Sequence, residues 1–198
     1  MNDVEEDKMV TNSLSVKAIG LVELLEGAVT HADKGKDALR ALNSVQILGG
    51  GGQFIARATD RYRLIEGKIE GERHLDHSLI ALDDVKRVIS LAKDNKLALL
   101  TLTRVGDLLT VSVSGSAITL QLLGENYPKT FSDLLNEERR DNLGMISFNP
   151  NFMADYGKIV GKGKAIKVEF IGENKPMIVI LAGDKVEWKA LLMPMRII

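Results

Sequence analysis

Three stretches of the chain repeat one order of hydrophobic and polar positions. In the first, Leu14-Ser15-Val16-Lys17-Ala18 alternates as a strand does, and Leu21, Leu24, Leu25 and Ala28 then take the i, i+3, i+4, i+7 spacing of one helix face. Strands are predicted at 42–48, 53–59 and 63–69, with Gly49-Gly50-Gly51-Gly52 as the turn after the first. In the second, a short strand at 78–81 leads to Asp83 as the predicted N-cap and to a helix with Val85, Val88, Ile89 and Ala92 on one face. Strands follow at 97–104, 108–114 and 117–123, separated by Gly106-Asp107 and Gly115. In the third, a strand at 145–148 precedes Asn149, a cap, and Pro150 at the first helical position, where its missing N–H costs nothing. Phe152, Met153, Tyr156 and Val160 are spaced for burial, Gly161 and Gly163 stop the helix, and strands are predicted at 166–170, 177–181 and 187–192.

Helix starts near Leu21, Asp83 and Pro150 give a period of 62 to 67 residues, each unit reading β-α-β-β-β. Strands outnumber one-sided helices, so the expected class is α+β: antiparallel sheets with the helices on one face. The 198 residues, 45% hydrophobic and 27% charged, match an ordinary globular chain. The absence of cysteine excludes disulfides, thiolate metal sites and a cysteine nucleophile. No apolar run nears membrane-spanning length, and the acidic start MNDVEEDK does not resemble a secretion signal, so the expected location is the cytoplasm, with no membrane partner. The net charge of −1 includes −3 in the first eight residues, which leaves +2 on the other 190. Any DNA partner therefore needs the cations gathered on one face.

Candidate chemistry is sparse. His74-Leu75-Asp76-His77 lacks a third ligand and a helix and reads as a solvated loop between units, not a metal site. The Gly49–Gly52 run is followed by Gln53-Phe54-Ile55, a strand, where a phosphate loop requires Lys-Ser/Thr and a helix. No serine-hydrolase signature, metal cluster or cofactor loop is evident, so no catalytic residue, metal or cofactor is assigned and the expectation is a non-enzyme. Cations recur near each helix: Lys34, Lys36 and Arg40, then Lys86, Arg87 and Lys93, then Lys158, Lys162 and Lys164. Solvated faces explain such runs in most proteins; their repetition beside equivalent helices also fits a surface that binds phosphates without reading sequence. The terminal Met193-Pro194-Met195-Arg196-Ile197-Ile198 reads either as the end of the last strand or as one wall of a peptide groove, a place that suits pliable methionines.

Four segments, in order, resemble the bacterial DNA polymerase III β sliding clamp family. Ala58-Thr59-Asp60-Arg61-Tyr62-Arg63-Leu64 resembles its A-T-D-G-H-R-L; Glu125-Asn126-Tyr127-Pro128-Lys129-Thr130-Phe131 its G-x-F-P-x-Y linker; Phe148-Asn149-Pro150-Asn151-Phe152 its F-N-x-x-Y/F helix entry; and Leu192-Met193-Pro194-Met195-Arg196-Ile197 its V-M-P-M-R-L terminus. That family builds six units into three domains, and six domains close a ring around duplex DNA with helices inside. The resemblance implies a clamp fold of about one and a half domains: 1–12 a flexible acidic tail, 13–135 like the middle domain, 136–144 a linker, and 145–198 like the second half of the last domain.

The implied role is a processivity factor for DNA replication, without catalysis. A ring of twelve units takes four such chains, with unit three meeting unit three of a neighbour across a two-fold axis; a dimer is the alternative. The implied peptide pocket, for short hydrophobic segments of polymerase and clamp loader, comprises Leu42, Thr59, Arg61, Tyr62, Arg63, Leu64, Pro128, Leu134, Leu191, Met193, Pro194, Met195 and Arg196. Arg61 and Tyr62 depart from the family's Gly and His. Lys34, Lys36, Arg40, Lys86, Arg87, Lys93, Lys158, Lys162 and Lys164 are the DNA-contact candidates. The competing reading is a clamp-fold module that binds such peptides without encircling DNA, in competition with a host clamp.

Overall fold

The computed structural model describes residues 12–125, 127, 135, 146–162, 164–172 and 175–195. Unit one runs β1 (Ser13–Lys17), α1 (Ala18–Val29), β2 (Ser44–Gly50), β3 (Gln53–Thr59) and β4 (Arg63–Glu70). Unit two runs β5 (Glu72–Ala81), α2 (Leu82–Asp94), β6 (Leu99–Val105), β7 (Leu108–Val113) and β8 (Ser116–Gln121). Unit three contributes α3 (Pro150–Val160), β9 (Ile166–Phe170), β10 (Met177–Ala182) and β11 (Glu187–Leu192). The eleven strands form one antiparallel sheet in the order β8-β7-β6-β1-β5-β2-β3-β4-β11-β10-β9. Among the described residues no helix is long and apolar enough to cross a membrane.

Several local expectations shift. Residues 74–77 are not a loop: they belong to β5, where Leu75 is buried and His74, Asp76 and His77 are exposed, the last two at a register shift against β2 that breaks the alternation. Asp83 does not cap α2. The helix begins directly from β5 with Ala81 at the N-cap, and Asp83 and Asp84 lie in the first turn, where their charges favour the helix dipole. Asn149 does cap α3, its side-chain oxygen accepting from the Asn151 N–H at 3.0 Å. Only Gly51 and Gly52, both at positive φ, make the β2–β3 turn, and Gly49 and Gly50 continue the strand. Ahead of α3 the described residues form a single bridge, Ser147 to Met195, in place of a full strand. Asn12, expected in the tail, is tied in: its amide donates to Asp76 at 2.7 Å and its carbonyl oxygen accepts from the Asp76 N–H at 2.9 Å. The rest of the tail and the expected linker lie outside the described residues.

Units one and two exchange their first strands. β1 pairs with β6 of the other unit, placing Val16 opposite Leu100 and Leu14 opposite Leu102. β5 pairs with β2, placing Ile80 opposite Val45. Each unit thus supplies the strand that covers the other's core, and α1 packs on α2 above the exchange. Inward strand residues such as Val45, Ile47, Leu100 and Leu102 join Leu21, Leu24, Val85 and Val88 in one buried core.

Unit three joins unit one through β4 and β11, from Glu187 opposite Lys68 to Leu192 opposite Arg63. Opposite charges face each other on the outer side: Glu187 meets Lys68, and Lys189 meets Glu66. On the inner side Trp188, the one tryptophan, is buried directly opposite Gly67. Its ring fills the space a Cβ would need on both Gly67 and Gly27, and so lies between β4 and α1. The indole N–H finds no acceptor among the described residues. That costs about 1–3 kcal/mol, whereas burying an indole of roughly 200 Å² contributes about 5 kcal/mol, so burial wins.

A methyl at residue 67 overlaps the ring and comes within 2.7 Å of Leu24. Gly67→Ala is therefore expected to cost about 1–3 kcal/mol. The tryptophan emission should shift red at lower denaturant than in the parent chain. An unchanged midpoint would mean that the seam does not depend on this contact.

Candidate functional site

Of the expected pocket residues, Thr59, Arg61, Tyr62, Arg63, Leu64, Leu191, Met193, Pro194 and Met195 lie where unit one joins unit three. The turn between β3 and β4 is built by Asp60, whose Oδ1 accepts from the N–H groups of Tyr62 and Arg63, each at 3.1 Å. The Thr59 hydroxyl closes it, donating to the Arg63 carbonyl at 2.7 Å. Arg61 sits between them with φ 79°, a left-handed conformation that costs a side-chain-bearing residue about 1 kcal/mol. The position keeps the backbone that a glycine would hold freely. β11 then extends past this turn, the Met193 N–H donating to the Tyr62 carbonyl at 3.0 Å and the Met195 N–H to the Ser147 carbonyl at 2.7 Å.

Arg63 ties the junction together. Its Nε donates to Asp60 Oδ2 at 2.9 Å, Nη1 to Asp155 Oδ2 of α3 at 2.7 Å, and Nη2 to the Thr30 carbonyl at the end of α1 at 2.8 Å. Its guanidinium also lies 4.2 Å from the centre of the Phe152 ring. Burial raises the Asp155 pKa, but hydrogen bonds from Lys158 and Arg63 outweigh it and hold the carboxyl below its ordinary range. Behind this lock His31 is fully buried, its Nδ1 2.7 Å from the Thr30 hydroxyl and its ring 5.4 Å from that of Tyr156. Burial, with the nearby Arg63 charge, pushes His31 down to about 3, so it is neutral in the fold. Burial pushes the Tyr156 phenol up. Asp155, Phe152 and His31 are neighbours of the candidate site that sequence reasoning missed. Only the i, i+3 Asp155-Lys158 pair and a histidine following an apolar helix hint at them.

The expected pocket residues divide by exposure. Tyr62 is 63% exposed, Met193 43% and Met195 53%, with Arg61 exposed beside them and Pro194 half-buried. Leu42, Thr59, Arg63, Leu64 and Leu191 are buried. Leu64 and Leu191 face each other across the seam and belong to a second apolar cluster, apart from the main core, with Leu79, Tyr127, Leu135, Ile171 and Ile178. The chain's own Tyr127 and Leu135 thus share the floor of the expected groove. Pro128, Leu134 and Arg196 lie outside the described residues. A cleft of about 460 Å³ opens alongside, between the 33–38 loop, the 60–62 turn and Phe152. A wider cleft of about 850 Å³ lies elsewhere, under the start of α1 and the Gly51-Gly52 turn, and touches none of the candidates.

Most of the candidate DNA-contact cations are paired with acids. On α2, Lys86 pairs with Asp83 at 2.8 Å and Arg87 with Asp84 at 2.7 Å, while Lys93 reaches Glu26 of α1 at 2.7 Å. On α3, Lys158 pairs with Asp155 at 2.7 Å; beyond it Lys164 pairs with Asp184. Arg40 is 3.5 Å from Glu125, and Lys34 and Lys36 lie in the loop after α1, Lys36 lining the smaller cleft. Only Lys34, Lys36 and Lys162 of the set make no ion pair with a described residue. Glu23 and Glu26 give α1 a charge of −2, while α2 and α3 each balance to zero. The three helices together carry −2, because α2 and α3 hold their own counter-ions and α1 has no cation.

No family model and no curated protein sequence matches the chain. Solved structures do. The β subunit of DNA polymerase III from Thermotoga maritima superposes with a TM-score of 0.77 at 17% identity, over 100% of this chain and 70% of that one. The chain has the sliding-clamp fold. The DNA polymerase sliding clamp from Bacillus subtilis agrees, with a TM-score of 0.75, 16% identity and coverage of 100% and 67%. A sliding clamp from Pseudomonas aeruginosa gives 0.76, 14%, 100% and 68%. The chain spans about two thirds of the length of the clamps it matches. Within this clamp fold, the 60–62 turn and the end of β11 meet at the seam between units.

Two outcomes test the junction. Arg63→Ala leaves the partly buried carboxylates of Asp60 and Asp155 unpaired and is expected to cost about 3 kcal/mol, with Arg63→Lys recovering little because an ammonium lacks the fork. Secondly, His31 binds a proton near pH 6.5 when unfolded but only near pH 3 when folded. Stability should fall as pH drops below about 6.5, by about 2 kcal/mol at pH 5, and His31→Gln should flatten that slope in urea unfolding.

Proposed function

We propose that the protein is a non-enzymatic sliding-clamp-like processivity factor, which assembles with further copies around duplex DNA and docks short hydrophobic peptides of a polymerase or clamp loader. The observation that carries this is the seam itself: a clamp fold in which β4 and β11 make one continuous sheet and leave Tyr62, Met193 and Met195 exposed beside a buried apolar floor. A peptide laid there would cover the exposed rings and thioethers. Tethering a polymerase in this way raises its effective concentration at the primer end. The ring reading takes four chains to supply twelve units. It places the protein in the cytoplasm, with the DNA it serves.

With a net −2 on the three helices, phosphate attraction contributes little to the hold on DNA, and the hold is topological. Encirclement then predicts retention on closed circular duplex with little change between low and moderate salt, and loss once the circle is cut. A purely electrostatic binder would instead lose affinity steeply with salt on either form. The same lack of net positive charge favours the competing reading, a peptide-docking module that does not encircle DNA. Absence of retention on circles, with peptide binding intact, would select it.

The docking surface has its own test. Tyr62→Ala with Met193→Ala is expected to weaken a hydrophobic clamp-motif peptide by about tenfold or more in calorimetry, since exposed aromatic anchors carry much of such binding. Equal affinity for the double variant and the parent would place the site elsewhere.

A further inference from the structure

Units one and two display what a complete pair looks like. The strand ahead of each helix lies along the first strand after the sister helix, and under that cover Val45, Ile47, Leu100 and Leu102 are at most 1% exposed. Among the described residues unit three has the same parts without a sister, and its β9 is the last strand of the sheet. The inward residues Ile166, Val168 and Phe170 pack on the core yet remain half-exposed, as do Met153 and Ile159 of α3. The residues ahead of α3 are also half-covered: Ile146 and Phe148 take the places that Leu14 and Val16, both buried, hold ahead of α1. Ser147 is bridged on one side by Met195, as β1 is flanked by the start of β5, and nothing described lies on its other side.

We propose that a second copy of this chain completes unit three. Residues 146–148 of each copy run antiparallel along β9 of the other, about a two-fold axis. The occupant follows from the internal pair: the missing part is a strand ahead of a helix in a unit of this kind, and unit three carries one with no described residue along its outer side. The register follows from β1 on β6. Lys17, the residue before α1, faces Leu99, Val16 faces Leu100, and Ser15 faces Thr101. Asn149 stands where Lys17 does, so Phe148 faces Ile166 of the second copy, Ser147 faces Lys167, and Ile146 faces Val168. The apolar residues then cover one another inside, and Ser147 and Lys167 pair on the outer side, where Ser15 and Thr101 hydrogen-bond at 3.4 Å in unit one.

This inference rests on the assembly part of the proposed function. The chain has no cysteine, so engineered thiols report on it alone. Opposed residues in an antiparallel pair have Cα atoms about 4.5–5.5 Å apart, within reach of a disulfide. The full-length S147C/K167C chain, mildly oxidised, is expected to run at twice the monomer mass on a non-reducing gel. A mixture of S147C and K167C single variants should cross-link too, whereas neither does alone. Ile146→Lys, at a half-buried position outside the described core clusters, should raise the concentration at which light scattering detects dimer by about tenfold or more, while leaving the Trp188 unfolding transition in place. Cross-linking by K167C alone would mean that β9 pairs with β9, and would overturn the register. A parent chain that stays monomeric at every concentration, with no cross-link in the double variant, would overturn the interface. The two readings fail separately. A cross-linked pair that does not stay on circular DNA sinks the clamp function alone, and a chain retained on circles without cross-linking sinks this interface alone.

Discussion

Trp188 reaches from β11 under α1 and against β4, into a slot that exists because Gly27 and Gly67 have no side chains. One ring therefore contacts a helix and a strand of unit one and fastens unit three to both. The sheet crosses the seam without a break beside that ring, and the exposed strip of Tyr62, Met193 and Met195 lies at the end of this continuous sheet. Arg63 acts on the other end of the same seam. Its three donors hold a turn, the end of α1 and the side of α3, so the guanidinium sets the angle at which the two units meet. Buried charge of this kind adds less to stability than its hydrogen bonds suggest, but it tolerates few alternative arrangements.

Much of the architecture was readable from the chain. The alternation at 53–59 and 166–170, the helix faces of α1 and α2, and the Asn149-Pro150 start each rest on local chemistry, and local chemistry fixes them in the structure. The strand exchange was not readable, because β1 and β5 alternate equally well whichever partner they choose; long-range packing selects the partner. The 74–77 stretch misled for a similar reason. Its exposed histidines and aspartate look like a loop, yet Leu75 between them is an inward strand residue, and a register shift against β2 turns both Asp76 and His77 outward.

The site was legible in outline only. Tyr62, Met193 and Met195 stand out as apolar residues in turn-like or terminal positions, and they are the ones left exposed. Arg63 and Leu64, adjacent in sequence, play opposite parts that no spacing distinguishes: one locks the junction, the other lies in the outer apolar cluster. The basic residues were the weakest guide. Their number near helices was visible, but the acids three residues away on α2 and α3 neutralise them, and Glu26 on α1 answers Lys93 from a neighbouring helix.

Under the pairing proposed above, copies of this chain meet through like ends about a two-fold axis. Each then gives a strand and receives one, so a substitution in residues 146–148 or in β9 is felt twice at a single contact. A pair joined in this way also has equivalent faces, and so no front or back.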